Sequence, residues 1–165
     1  MTVAAFISDS RSQTVKRVLL VVPRVYLGVI LLVASWGKLT GEGDFATRLV
    51  GFVSRNIANE RTHGFYAGFL ESVVVPNAAV FAFLVMWGEF FSGVALISGT
   101  ATRLAAGLAM FLVLNFAFLK GAWFWSSSND WASFFIGLVV LIGAAGRAFG
   151  VDYYLAKKWP RGGIW

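Results

Sequence analysis

The stretch NAAVFAFLVMWGEFFSGVALIS, residues 77–98, holds one charged residue, Glu89, in an otherwise apolar run. Apolar runs of about 18 or more residues are candidate membrane-spanning helices. Pro76 stands just ahead of this one, a position that suits a helix start. Three similar runs lie on either side of it, from about Val18 to Leu39, Arg103 to Leu119 and Trp131 to Phe149. The links between them are short: Gly99-Thr100-Ala101-Thr102 joins the second run to the third, and Lys120 to Asp130 joins the third to the fourth. Short links force neighbouring helices to run antiparallel. The expected fold is therefore all-α, one integral membrane domain over residues 1–165, built as an antiparallel four-helix bundle with spans at about 18–39, 77–98, 103–119 and 131–149.

Composition supports this reading. Of 165 residues, 58% are apolar and 13% charged, with 16 Phe and 7 Trp, and mean hydropathy is +0.74. Soluble domains carry about 25% charge. A soluble globule of this composition would expose large apolar patches and aggregate. Soluble enzyme, nucleic-acid module and disordered tail are excluded. The net charge of +6 does not revive nucleic-acid binding, because the basic residues flank apolar runs, where positive charge sets membrane orientation. The absence of Cys removes disulfides, thiolate zinc sites and iron–sulfur clusters. A single His builds no multi-His metal site, and no metal is expected.

The first run is too long for a signal-peptide core and no A-x-A site follows it, so it reads as a retained helix. Residues 1–14 read as a frayed polar tail. The segment 40–76 reads as an interfacial loop containing two short amphipathic helices. In it, Phe45, Leu49, Phe52, Val53 and Ile57 recur at helical spacing, as do Phe65, Phe69, Leu70 and Val73. Such helices lie at a membrane surface or cap the end of a bundle as core.

Arg11, Lys16, Arg17, Arg103, Arg147, Lys157, Lys158 and Arg161 fall on one side, against Lys38, Arg48, Arg55, Arg61 and Lys120 on the other. That asymmetry predicts that both termini are cytoplasmic, and the expected location is a bacterial-type inner membrane that the chain crosses several times. Trp36, Trp123, Trp125 and Trp131 then line the outer interface and Trp159 the inner one.

Polar groups at membrane depth need a partner or a purpose. Glu89 lies roughly 14 Å from the cytoplasmic end of its span, Arg24 roughly 9 Å and Asn115 roughly 18 Å, at 1.5 Å per residue. Three readings stand for this trio. A buried Arg24–Glu89 pair capped by Asn115 would fix helix register. Alternatively, Glu89 handles protons beside a quinone-sized pocket formed with Arg24 and Asn115. A neutral, hydrogen-bonded Glu89 is the third. His63, in Thr62-His63-Gly64, reads as a loop residue or as an axial ligand to a tetrapyrrole ring. Gly28, Gly93, Gly107, Gly137 and Gly143 suit close helix contact. Phe116, Trp123, Phe124, Trp125, Trp131 and Phe135 form an outer aromatic rim, expected to meet lipid and other membrane subunits.

Arg24-x-x-x-Gly28 with Trp36-Gly37-Lys38-Leu39 resembles the opening span of the DoxX family of small four-helix membrane proteins, which borders the DoxD and MauE proteins. The stretch Gly88-Glu89-x-x-x-Gly93-x-Ala95-Leu96-x-x-Gly99-x-x-Thr102-Arg103-x-Ala105 is similar to that family's central signature, and Gly146-Arg147 with Asp152 to its closing motif. The likeness runs over about residues 18–152. It implies a membrane redox setting and quinone contact, and it fixes no reaction. The expected role is a small accessory or quinone-facing subunit of a larger redox or electron-transfer complex. The alternatives are a stand-alone quinone-linked oxidoreductase, or a pigment- or lipid-binding scaffold of a respiratory or photosynthetic complex.

Overall fold

The computed structural model describes residues 3–126 and 128–159, with side chains from residue 15 onward apart from Lys16 and Arg17. All the regular structure among them is helical: α1 Val3–Thr40, α2 Phe45–Ala58, α3 Gly64–Phe69, α4 Ala78–Ser98, α5 Thr102–Leu119, α6 Asn129–Ile142 and α7 Val151–Lys158. A π turn at Leu70–Val74 prolongs α3, and a 3₁₀ turn at Ala145–Arg147 precedes α7. Among the described residues, three helical stretches are long and apolar enough to cross a membrane: Val18–Thr40 within α1, Ala78–Ser98 and Thr102–Leu119.

The fourth expected span, 131–149, is shorter than its composition suggests. Its helix ends at Ile142, and Ala144 turns left-handed at φ 45° before the 3₁₀ turn. Fourteen residues reach about 21 Å, less than the roughly 30 Å of a hydrocarbon core. The apolar residues past Ile142 belong to a folded corner, which hydropathy alone does not separate from a helix. The expected tail also differs, since α1 is helical from Val3. Arg161 lies outside the described residues, as do the side chains of Arg11, Lys16 and Arg17.

α1 packs on α4 and α6, and α5 packs on the same two helices. Leu27, Leu31, Leu96, Ala106, Ala109 and Val140 meet at their centre. Each helix turns an apolar stripe outward: Leu19, Val22, Tyr26, Val29, Val33 and Trp36 on α1, and Leu104, Leu108 and Phe111 on α5. Apolar inside and outside at once, the helices suit lipid as solvent. α1 and α4 are antiparallel and nearly touch at Gly28 and Gly93. A Cβ on Gly93 would sit 2.9 Å from the Gly28 carbonyl oxygen. Gly137 and Gly143 are likewise crowded, by Met110 and Leu20, whereas Gly107 faces open space and brings no helices together.

The segment after α1 folds over one end of the helices, here called the loop end. Asp44 starts α2 by accepting from the Thr47 amide at 3.2 Å. The apolar face of α2 then packs on α4, where Leu49 and Val53 join Leu70, Val74, Ala82 and Leu119 in a second core. The Thr62 hydroxyl donates to the Leu119 carbonyl at 2.9 Å and the His63 amide to the Phe118 carbonyl at 3.3 Å. The loop is thus stitched to the end of α5 and caps the helices as core.

Candidate functional site

Glu89 is buried on α4, and its carboxylate accepts a hydrogen bond from Lys38 Nζ at 2.6 Å. The expected Arg24–Glu89 pair does not form. Side chains of an α-helix lean toward its N-terminus, and α1 runs toward the loop end. Lys38, at the loop end, therefore leans inward to Glu89. Arg24 leans outward, away from it, along a helix on which the two residues lie about 21 Å apart at 1.5 Å per residue.

Arg24 is nonetheless fully buried. Its guanidinium donates to the carbonyls of Ala145 at 2.9 Å, Ala148 at 3.1 Å and Phe149 at 3.3 Å. It thereby ties α1 to the corner after α6. In the same corner, Asp152 accepts from the Ala101 and Thr102 amides at 2.7 and 2.8 Å and so caps α5 from far along the chain. Its own amide donates to the Gly99 carbonyl at 2.8 Å. Gly146 lies against Asp152 and Thr102, and Gly150 against Arg24 and Gly99, with no room for a Cβ. This terminus-end cluster satisfies helix-end groups, and each carboxylate oxygen of Asp152 is engaged by a backbone amide.

Asn115 is in neither cluster. Its amide nitrogen donates to the Phe111 carbonyl at 2.7 Å, and its oxygen accepts from the Tyr66 hydroxyl at 2.5 Å. Burial pushes the Tyr66 hydroxyl above its ordinary pKa. Both side chains face an apolar cavity of about 270 Å³ between α2, α3, the π turn, α4 and α5. Leu49, Val53, Leu70 and Val74 form its inner wall. Phe69, Leu84 and Phe111, all exposed, form its rim on the outer surface of the helices. The π turn matters here, because it keeps both Leu70 and Val74 buried against the cavity. π turns concentrate at functional positions, and no residue pattern in the sequence marks this one.

Phe116 lines this cavity, so it faces inward and does not share a surface with the rest of the expected rim. Its ring also lies 5.4 Å from Lys38 Nζ, placing the charge pair just behind the cavity wall. Trp123 and Trp125 are exposed and stacked at 5.1 Å, with Phe124 beside them at 4.6 Å and exposed Phe135 against Trp131. Trp131 itself turns partly inward and donates to the Ala122 carbonyl at 2.8 Å. His63 is the N-cap of α3, with its ring among Phe65, Phe118 and Trp123 and outside the cavity lining. No group of three or more His, Cys, Asp or Glu suited to a metal occurs among the described residues.

Three residues that matter here carried only faint signals in the sequence. Lys38 reads as an interface charge, Tyr66 as one aromatic among many, and Asp152 as part of a closing motif without a partner. A family model described as DoxX matches residues 19–122, more than half of the chain. No curated protein matches it, and no solved structure does.

Proposed function

This chain belongs to the DoxX family of membrane proteins, and on that premise we propose that it is a small accessory subunit of a membrane redox assembly that holds a quinone-class ring in the apolar cavity. The observation that carries the reading is the cavity itself. It is apolar, bears one polar pair, and has a rim of exposed apolar side chains. Ligand pockets run upward from about 300 Å³ and combine apolar walls with a few placed polar groups. A volume of about 270 Å³ suits a single ring, and an isoprenoid tail would leave past Phe69, Leu84 and Phe111 into lipid. Asn115 keeps one amide hydrogen for a ligand carbonyl, and the Tyr66 oxygen can accept from a ligand hydroxyl. On this reading α1, α4, α5 and the shorter α6 form a four-helix bundle in a bacterial-type inner membrane. Both termini are cytoplasmic by the Lys/Arg asymmetry, and the Trp123–Trp125 surface meets another subunit.

Quenching of tryptophan fluorescence by a short-chain quinone, with the protein in nanodiscs, tests this. Asn115→Leu should weaken binding about tenfold, the worth of roughly one hydrogen bond, and Val85→Phe should fill the cavity and abolish it. Equal quenching in wild type and both variants would overturn the reading.

A further inference from the structure

A second cavity, of about 380 Å³, opens at the loop end between the last turn of α1, the start of α2 and the first half of α4. Lys38 is in its wall, together with Asp44, Phe45, Ala79, Phe83 and Met86. It is separate from the ring-sized cavity, and the two share no lining residue. We propose that the Lys38–Glu89 pair is a proton-exchange site, wetted from the loop end through this vestibule and sealed from the terminus end.

Three observations carry it. The pair is graded in exposure, with the Lys38 side chain 16% exposed and that of Glu89 5%. Lys38 is thus the member that water meets, and Glu89 sits behind it. Beyond Glu89 the way is shut. One turn deeper Gly93 abuts Gly28, and Leu27, Leu31 and Leu96 are buried around that contact. Finally, Ser92, on the same face of α4, is buried with a hydroxyl that has no hydrogen-bond partner. A buried hydroxyl of this kind calls for a partner such as water, and it lies within a turn of the carboxylate.

The charged groups around the pair are few. From α2 and its N-cap come Arg48, whose guanidinium donates to the Lys38 carbonyl at 2.6 Å, and Asp44 in the vestibule wall. On the α5 side, Lys120 stands 5.8 Å from the Phe116 ring that Lys38 also approaches. A proton taken from vestibule water onto the carboxylate leaves hydroxide in the vestibule, a neutral carboxyl on Glu89 and an ammonium on Lys38. Returning it restores the ion pair, with no electron moved. What the proton serves rests on the ring-binding reading above, whereas access to the site does not.

The chain has no cysteine, so Lys38→Cys supplies a single thiol. In sealed vesicles, a membrane-impermeant cationic thiol reagent should label it from the same side as Glu60→Cys in the α2–α3 loop, and not from the side of Lys157→Cys on α7. Lys38→Cys paired with Glu89→Gln, which leaves no stranded carboxylate, should label from the same side if the single variant fails to fold. Infrared difference spectra of the wild type between acid and neutral medium should show a carboxyl band that Glu89→Gln removes. Labelling from the Lys157 side, no labelling of the folded double variant, or identical spectra for wild type and Glu89→Gln would each overturn the proposal. The absence of any wild-type quinone quenching that Asn115→Leu and Val85→Phe reduce, with the labelling as expected, would count against the ring-binding reading alone.

Discussion

Lys38 and Glu89, 51 positions apart in the chain, meet at 2.6 Å with the carboxylate buried. This contact joins the end of α1 to the middle of α4. It also ties together two stretches, Trp36-Gly37-Lys38-Leu39 and Gly88-Glu89, that the sequence leaves far apart. Removing one member of a buried pair strands the other, at about 3–5 kcal/mol in soluble proteins. Lys38→Met and Glu89→Gln should each lower stability in detergent, and the double variant should regain part of the loss. A coupling of about 1–3 kcal/mol is expected for residues in contact. Arg24→Gln and Glu89→Gln should instead add to within about 0.5 kcal/mol, because the two do not touch. Coupling in the second cycle and none in the first, read from chemical denaturation, would reverse the assignment.

At the opposite end, Arg24 bonds three carbonyls at once. A guanidinium carries five donors in a fixed fork, while an ammonium is a compact point charge on a flexible stem. Arg24→Lys should therefore behave as a disruptive change, losing about 1.5–3 kcal/mol for each charged hydrogen bond not replaced. The corner at residues 145–150 should lose amide-exchange protection before α4 does. Asp152→Ala uncaps α5 and should loosen its first turn by about 0.5–2 kcal/mol. Protection unchanged in both variants would show that the corner holds without them.

Tyr66 donates to Asn115 while burial holds its phenol neutral. A pKa raised on folding contributes stability that is whole below the unfolded value, about 10 for tyrosine, and is lost as pH rises through the folded value. Alkaline medium should therefore cost the wild type stability that Tyr66→Phe does not lose. At neutral pH the substitution should cost about 1–3 kcal/mol, because Asn115 is left with an unmet acceptor. Spectrophotometric titration of the four tyrosines should show a late-ionising phenol that disappears in Tyr66→Phe.

The spans of α1, α4 and α5 were legible because lipid demands long apolar runs, and the observed ends of α4 and α5 fall within a residue of those runs. The α2 stripe was legible for a similar reason, since Leu49 and Val53 recur at helical spacing and both are buried. The site was legible in its members and not in its pairings. Glu89, Arg24 and Asn115 stood out as polar residues at depth, and each has a partner at hydrogen-bond distance. Depth along a helix axis, however, ignores the lean of side chains toward the N-terminus. That lean sends Arg24 out to the α6–α7 corner and draws Lys38 inward. The end of α6 was hidden for a different reason: Gly143 to Phe149 carries one charge, Arg147, among small and apolar residues, and its turn is held by Arg24, 121 residues from the Ala145 carbonyl it binds.

The last expectation concerns the surface at the loop end of α5 and α6. Trp123 and Trp125 stack face to face, 2° from parallel, and both are exposed with Phe124 and Phe135. Trp is enriched among residues that carry interface energy, and an aromatic pair contributes about 0.5–1.5 kcal/mol beyond its burial. Trp131 is held from within by the Ala122 carbonyl, so the outer pair can be removed without unseating the start of α6. Trp123→Ala with Trp125→Ala should leave the melting temperature in detergent nearly unchanged. The same double variant should weaken recovery of a co-purifying membrane subunit from gently solubilised cells by at least tenfold. Trp131→Ala, by contrast, should lower the melting temperature. Wild-type protein recovered alone, or a subunit recovered equally with the double variant, would leave lipid as the only partner of this surface.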